Sequence, residues 1–299
     1  MTQTDDISLN SPRAWLLAAR PKTLPAAAVP VIIGTALAVR DGCFVWQPAL
    51  LCCIFALTMQ IAANLINDLL DYMRGTDGEE RIGPRRACAS GWVSVRAMRW
   101  AVALTIGVAC AFGLLLLRYG GWWLVGVGAA CVVFAFLYTT FMSYCGLGDV
   151  LVLVFFGIVP VTCTYYLQSG VLDAVSLAYG TACGLVIDTL LVVNNFRDAD
   201  TDRAAGKRTI IVIFGRRFGS ALYLSLGIAG TAIVAFTAWS GGDVPMAAVP
   251  LLYLVPHVIN WRGMTRTWQG AALNAYLART SACMMLFALL ILAASFIPR

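Results

Sequence analysis

The sequence predicts an all-α integral membrane protein, with about nine transmembrane helices surrounding a central cavity. Three observations carry that reading. Of 299 residues, 60% are hydrophobic and 12% charged, with a mean hydropathy of +0.81, whereas a soluble domain carries about 25% charged residues. Long apolar runs lack the polar face that a soluble helix needs. The basic residues gather beside alternate apolar runs, the pattern of cytoplasmic membrane loops. The net charge of +6 therefore reflects membrane topology, and no nucleic-acid surface is expected.

A helix needs about 20 residues to cross the hydrocarbon core. That rule places spans at 24–40, 46–66, 98–118, 122–142, 149–169, 172–196, 220–240, 244–260 and 279–297. Pro25 and Pro30 predict a kink in the first span, and Pro250 and Pro256 one in the eighth. The polar stretch from Arg262 to Ala278 reads as a short interfacial helix. Eighteen of the 21 Lys and Arg residues fall on one side, and only Arg40, Arg118 and Arg299 on the other. This bias orients the N-terminal segment (1–23) and every even-to-odd loop toward the cytoplasm. The whole chain, 1–299, reads as one transmembrane domain. The ten cysteines lie mostly inside apolar runs without a CxxC pair, so neither disulfides nor a zinc site is expected. No A-x-A cleavage pattern marks a removable signal peptide.

The acidic residues are as unevenly placed as the basic ones. Eight of the fifteen lie in two stretches on the cytoplasmic side, NLINDLLDYMRGTD (Asn64 to Asp77, with Glu79 and Glu80 beyond) and NNFRDADTDRAAGKR (Asn194 to Arg208). Both stretches begin N-x-x-x-D at the end of an even-numbered span. On a continuing helix Asn64, Asp68 and Asp71 share a face, as do Asn194, Asp198 and Asp202, while Asp200 points elsewhere. Asp77 is available from the first loop.

Carboxylates converging at a membrane surface repel one another, and a hard cation relieves the conflict. Magnesium is favoured because it typically takes one or two carboxylates together with substrate phosphate oxygens. Arg81, Arg85, Arg86, Arg197, Arg203, Lys207 and Arg208 in the same loops suit phosphate. A calcium site or plain salt-bridged loops would not explain the matched pair. A metal–diphosphate site before an apolar interior suits a lipid diphosphate, whose leaving group the metal activates as a Lewis acid. Aromatic faces such as Tyr138, Tyr144, Phe155 and Phe156 can steady an allylic cation, although ordinary helix packing is the more common role for any one of them. A secondary transporter would place its acids near the midplane, where only Asp188 lies.

These residues resemble the UbiA superfamily of intramembrane prenyltransferases, and within it the 1,4-dihydroxy-2-naphthoate polyprenyltransferase (MenA) branch. The similarity runs through RPKTLPAAAVPVIIGTALA (Arg20 to Ala38), Asn67 to Asp77, RIGPRR (Arg81 to Arg86), GLGDVLVLVFFG (Gly146 to Gly157), YYLQ (Tyr165 to Gln168) and VNNFRDADTDRAAGKRT (Val193 to Thr209). The resemblance implies one magnesium–diphosphate half-site from Asn64, Asp68, Asp71 and Asp77, and another from Asn194, Asp198 and Asp202, with two Mg²⁺ ions bridging the diphosphate. It implies diphosphate contacts from Lys207, Arg81 and Arg85, with Asn67, Asn195 and Arg197 at the substrate beside them. Arg20 and Lys22 would bind either the diphosphate or the acceptor carboxylate. The implied reaction joins a polyprenyl diphosphate to the naphthoate ring in a bacterial inner membrane, releasing PPi and CO2 and giving demethylmenaquinone. An alternative acceptor is another aromatic acid such as 4-hydroxybenzoate. Prenyl chain length and oligomeric state stay open.

Two polar residues inside spans stand apart. Asp188, in the middle of span six, either is protonated and hydrogen-bonded or lines the substrate pocket. His257, the only histidine, reads as a satisfied packing residue.

Overall fold

The computed structural model describes residues 7–75, 83, 85–142 and 146–299. Of the predicted site residues, Asp77, Arg81 and Tyr144 lie outside them. Among the described residues every regular element is helical: α1 (Pro12–Ala19), α2 (Pro25–Arg40), α3 (Trp46–Arg74), α4 (Val95–Gly120), α5 (Leu124–Leu137), α6 (Gly148–Ser169), α7 (Ala174–Ala204), α8 (Ile210–Ser240), α9 (Val244–Thr267) and α10 (Ala271–Ser295).

Seven of these, α3, α4 and α6 to α10, are long and apolar enough to cross a membrane. The chain is a multi-pass membrane protein. The expected count of about nine needs two qualifications. The first span is a bent pair, Pro12–Thr23 and Pro25–Arg40, angled by 48°. Its bend sits at Leu24, ahead of Pro25, which occupies the first helical turn where it costs no hydrogen bond. The fourth is shorter, Leu124–Thr140, because a π-helical turn over Tyr138–Met142 ends it. In the eighth, the proline-containing stretch Val249–Tyr253 tightens to a 3-10 helix. The expected interfacial helix over 262–278 does not form. Instead α9 runs on to Thr267 and α10 begins at Ala271 after a turn at Gly270, whose φ is 89°.

The two helices that carry the aspartate stretches overshoot the bilayer. α3 has 29 residues and α7 has 31, about 44 and 47 Å at 1.5 Å per residue, against a hydrocarbon core of about 30 Å. Both extra lengths fall at the same end, so the two aspartate stretches continue their helices and stand clear of the lipid tails.

Small residues set the closest helix contacts. A Cβ added to Gly157 on α6 would meet the Cα of Gly184 at 2.4 Å and the carbonyl of Gly180 at 2.5 Å, both on α7. Backbones approach this closely only where side chains are absent. The α6 segment across from them, Leu153–Ile158, is π-helical, and such bulges recur beside functional sites. Polar contacts join the other helices. His257 is fully buried, with Nδ1 on the Tyr253 hydroxyl at 3.1 Å and Nε2 on the Leu224 carbonyl at 3.3 Å. Its ring stacks between Tyr223 and Tyr253, so it packs α8 against α9.

At the end opposite the aspartates, two of the three out-of-place arginines are ion-paired. Arg40 grips Asp243 through two nitrogens and donates a third bond to the Ile297 carbonyl at 2.5 Å. Arg299 reaches Asp243 at 3.5 Å and Asp41 at 3.7 Å, and Asp41 also accepts from the Tyr165 hydroxyl at 2.8 Å. The Arg40 and Asp243 side chains are 8% and 9% exposed, so this is not a weak surface pair. Asp243→Ala is expected to cost about 3 kcal/mol by stranding the guanidinium. Thermal unfolding in detergent, beside the exposed control Asp200→Ala, measures it.

Candidate active site at the aspartate end of the cavity

One large cavity, of about 1320 Å³, runs through the bundle. It opens among Asp71, Asn194, Asp198 and Asp202 and extends to Leu117, Leu124 and Leu167 near the opposite ends of their helices. Along α3 it spans Asp71 to Cys52, about 28 Å at 1.5 Å per residue. The deeper walls are almost wholly apolar, from Val31, Phe55, Leu116, Val132, Phe155 and Phe156. Its mouth is charged and its depth greasy.

On α3 the polar part of the cavity face consists of Gln60, Asn64, Asn67 and Asp71. The Asn64 amide nitrogen donates to the Ala19 carbonyl and to the Thr23 hydroxyl, both at 2.9 Å. That ties the α1–α2 elbow to α3. Within the elbow Arg20 adopts a left-handed conformation, φ 51° and ψ 69°, and its guanidinium donates to the Asn67 side-chain carbonyl at 3.3 Å. Arg20 and Lys22 both line the cavity mouth.

Asp68 differs from its expected role. It is 1% exposed, and its two oxygens accept backbone N–H bonds from Ala87 at 2.8 Å and Cys88 at 2.9 Å. It is absent from the cavity wall. Helical spacing put Asp68 on the same stripe as Asn64 and Asp71, but the stripe is wide and the following turn claims its middle. The consequence is useful for the site, because Asp68 fixes the turn that carries Arg86. Arg86 lines the cavity and donates to Asp71 at 3.2 Å. Arg85, the expected diphosphate contact, is exposed and away from the cavity wall. Two adjacent arginines in a loop give no periodicity by which a sequence can choose between them. Arg86→Gln is expected to weaken the binding of magnesium diphosphate at least ~10-fold through loss of a charge-assisted bond, and Arg85→Gln to leave it within about twofold. Isothermal titration with magnesium diphosphate separates the two variants.

On α7 the face is Asn194, Asn195, Arg197, Asp198, Thr201 and Asp202. Arg197 is 2% exposed and organises the group. Its guanidinium donates to Asp198 at 2.7 Å, to the Asn194 side-chain carbonyl at 2.9 Å, and to Asn274 of α10 at 2.8 Å. Lys207 stands 3.5 Å from Asp202. Asp200 faces outward, held by Arg216 at 2.9 Å and Arg203 at 3.8 Å. Sequence reasoning missed Asn274 on α10, Thr23 in the α1–α2 elbow and Gln60, one turn before Asn64 on α3, none of which the motifs singled out.

Asp188 does not line the cavity, which is walled by Ile187, Leu190 and Leu191 at that level. It is 4% exposed and turned toward the carboxyl of Asp149 on α6, within hydrogen-bonding reach. A substrate contact at Asp188 is therefore corrected to a helix–helix contact. Tyr138 does line the cavity, close to the mouth, and Phe155 packs at 4.3 Å from Phe134 deeper in.

Among the described residues, no three His, Cys, Asp or Glu side chains gather into one metal cage. The donors are instead hard oxygens, amide and carboxylate, in two groups along one cavity mouth with Arg86, Arg197 and Lys207 interleaved. That donor set fits magnesium shared with phosphate oxygens.

Residues 27–291 match the family model of the UbiA prenyltransferase family. The chain is 39% identical to the 1,4-dihydroxy-2-naphthoate octaprenyltransferase of Escherichia coli over 71% of this chain and 73% of that protein. It is 36% identical to the Mycobacterium leprae protein of the same name over 79% and 82%. Among solved structures, a UbiA homologue from Archaeoglobus fulgidus bound to GPP and Mg²⁺ superposes with a TM-score of 0.68 at 16% identity, covering 95% of this chain and all of that one. The fold, the cavity with its paired motifs, and these similarities agree: the chain belongs to the UbiA prenyltransferase family.

Proposed function

We propose that this protein transfers a polyprenyl group from its diphosphate to 1,4-dihydroxy-2-naphthoate, releasing diphosphate and CO2, in menaquinone biosynthesis. The immediate product is the prenylated quinol, from which demethylmenaquinone follows by oxidation. The observation that carries the reading is one cavity, about 28 Å long, with a carboxylate–amide–arginine mouth and an apolar far end. The acceptor rests on the relatives named as 1,4-dihydroxy-2-naphthoate octaprenyltransferases.

Asn64, Asp71, Asn194, Asp198 and Asp202 would hold magnesium. When bound there, the metal supplies Lewis-acid pull on the leaving oxygens. The chain's own residues do the rest. Arg20, Lys22, Arg86 and Lys207 meet the phosphate oxygens and hold the head group at the mouth. The apolar walls take the prenyl tail and exclude water from the allylic cation as its C–O bond breaks. Tyr138, at the junction of mouth and depth, offers the cation an aromatic face. The ring carbon bearing the carboxylate then attacks, and CO2 departs as the electron pair of the broken ring–carboxylate bond returns to the ring. Asp68 serves this site by holding Arg86 in place.

The motif end faces the cytoplasm in this reading, and the chain works as a single domain. Membranes containing the protein, incubated with Mg²⁺ and a polyprenyl diphosphate, are expected to consume dihydroxynaphthoate and spare 4-hydroxybenzoate. The opposite preference would replace the acceptor while leaving the family intact.

A further inference from the structure

We propose that the outer face of α4 binds an anionic phospholipid, with its phosphodiester on Arg96 and Arg99 and one acyl chain running along the small residues below. α4 is the least buried of the seven long spans. At the aspartate end of the bundle, Val95, Arg96, Arg99, Trp100 and Ala103, all on α4, form a shallow groove on its outer face. Arg99 touches the Met73 sulfur at 4.0 Å, and neither arginine has a carboxylate partner among the described residues. Two adjacent positive charges thus face outward.

The level of the groove identifies the ligand. Arg96 and Arg118 bracket α4 and lie 22 positions apart, about 33 Å along the helix, which matches a hydrocarbon core of about 30 Å. Arg96 and Arg99 therefore stand at head-group depth. Trp100, 70% exposed, comes one turn deeper, where indoles prefer to sit. Below it Ala103, Gly107 and Ala111 recur at every fourth position, all exposed. The space that a Cβ on Gly107 would enter holds no protein atom. The face is a cationic head above a shallow channel, flanked by Leu104 at 70% and Leu114 at 59% exposure.

Small residues at four-residue spacing also suit a second copy of the chain. A twofold axis along the membrane normal would, however, set Arg96 and Arg99 of both copies at one level, with four like charges at close range. A lipid phosphate neutralises them instead. An anionic lipid fits better than a zwitterionic one, whose ammonium would lie against the same arginines.

The test is native mass spectrometry of protein taken from phosphatidylcholine vesicles with and without phosphatidylglycerol. Wild type is expected to retain one phosphatidylglycerol that the Arg96→Gln/Arg99→Gln variant binds about 30-fold more weakly, the sum of two basic-residue contributions. Inorganic diphosphate is expected not to displace it, which separates a lipid site from a free-phosphate site. Retained prenyl transfer by the variant in detergent shows that it is folded. Equal retention of phosphatidylcholine, no loss in the variant, displacement by diphosphate, or a dimer that Gly107→Leu dissociates would each overturn the proposal.

Discussion

Asp198→Asn is expected to lower prenyl transfer at least ~10²-fold and to raise the magnesium concentration needed for half-maximal rate. Asp198 lines the cavity mouth and is the carboxylate on which Arg197 closes. The substitution keeps the shape and removes the charge. A hard donor is lost from the metal side, and the guanidinium, 2% exposed, is left with only neutral amides at Asn194 and Asn274. The matched control is Asp200→Asn, two residues on, whose carboxylate faces outward to Arg216. Its turnover is expected to stay within about twofold of wild type. Steady-state rates across a magnesium titration distinguish the two variants. A well-folded Asp198→Asn protein with ordinary turnover would remove Asp198 from the chemistry.

Gly184→Leu is expected to abolish the folded protein. A Cβ at this position would stand 2.7 Å from the Leu153 carbonyl oxygen and 2.8 Å from its Cα, and both are backbone atoms that no rotamer change can move. The cost therefore exceeds the ~1–3 kcal/mol typical of overpacking, where side chains can yield. It also displaces the π-helical turn of α6, which carries Phe155 and Phe156 to the cavity wall. Gly126→Leu is the control, because a Cβ there meets nothing within 4 Å. Size-exclusion chromatography in detergent is expected to show a monodisperse peak for Gly126→Leu and none for Gly184→Leu. A monodisperse Gly184→Leu protein would show that α6 and α7 can separate without loss of the bundle.

Hydropathy alone located the spans, because a membrane helix must be apolar over its whole crossing length. The count blurred where that rule is weakest, at the bent α1–α2 pair and the short α5. Helical period brought Asn64, Asp71, Asn194, Asp198 and Asp202 to one cavity. It failed for Asp68, since period fixes the direction of a side chain and not the partner it finds there. Arg86 was legible only as one of several loop cations, and Asn274 not at all, for a related reason. The first is placed by a turn folded back onto Asp68, and the second by α10 packing against α7. The lone carboxylate at Asp188 was a true signal of something unusual, but its partner is Asp149, 39 residues earlier, which no local pattern announces.

The two motif asparagines look interchangeable on paper, yet their surroundings differ. The Asn64 amide nitrogen donates to two oxygen atoms of the α1–α2 elbow, while its oxygen accepts from Gln60. Asn194 acts as an acceptor, receiving the Arg197 guanidinium. A protein engineer seeking tighter metal binding would be tempted to turn either amide into a carboxylate. At 194 the exchange keeps an oxygen where one is wanted. At 64 it sets a negative charge against the Ala19 carbonyl and unfastens the elbow that presents Arg20 and Lys22. The repeated motif is thus asymmetric in tolerance: one half is open to redesign, and the other is a hinge pin.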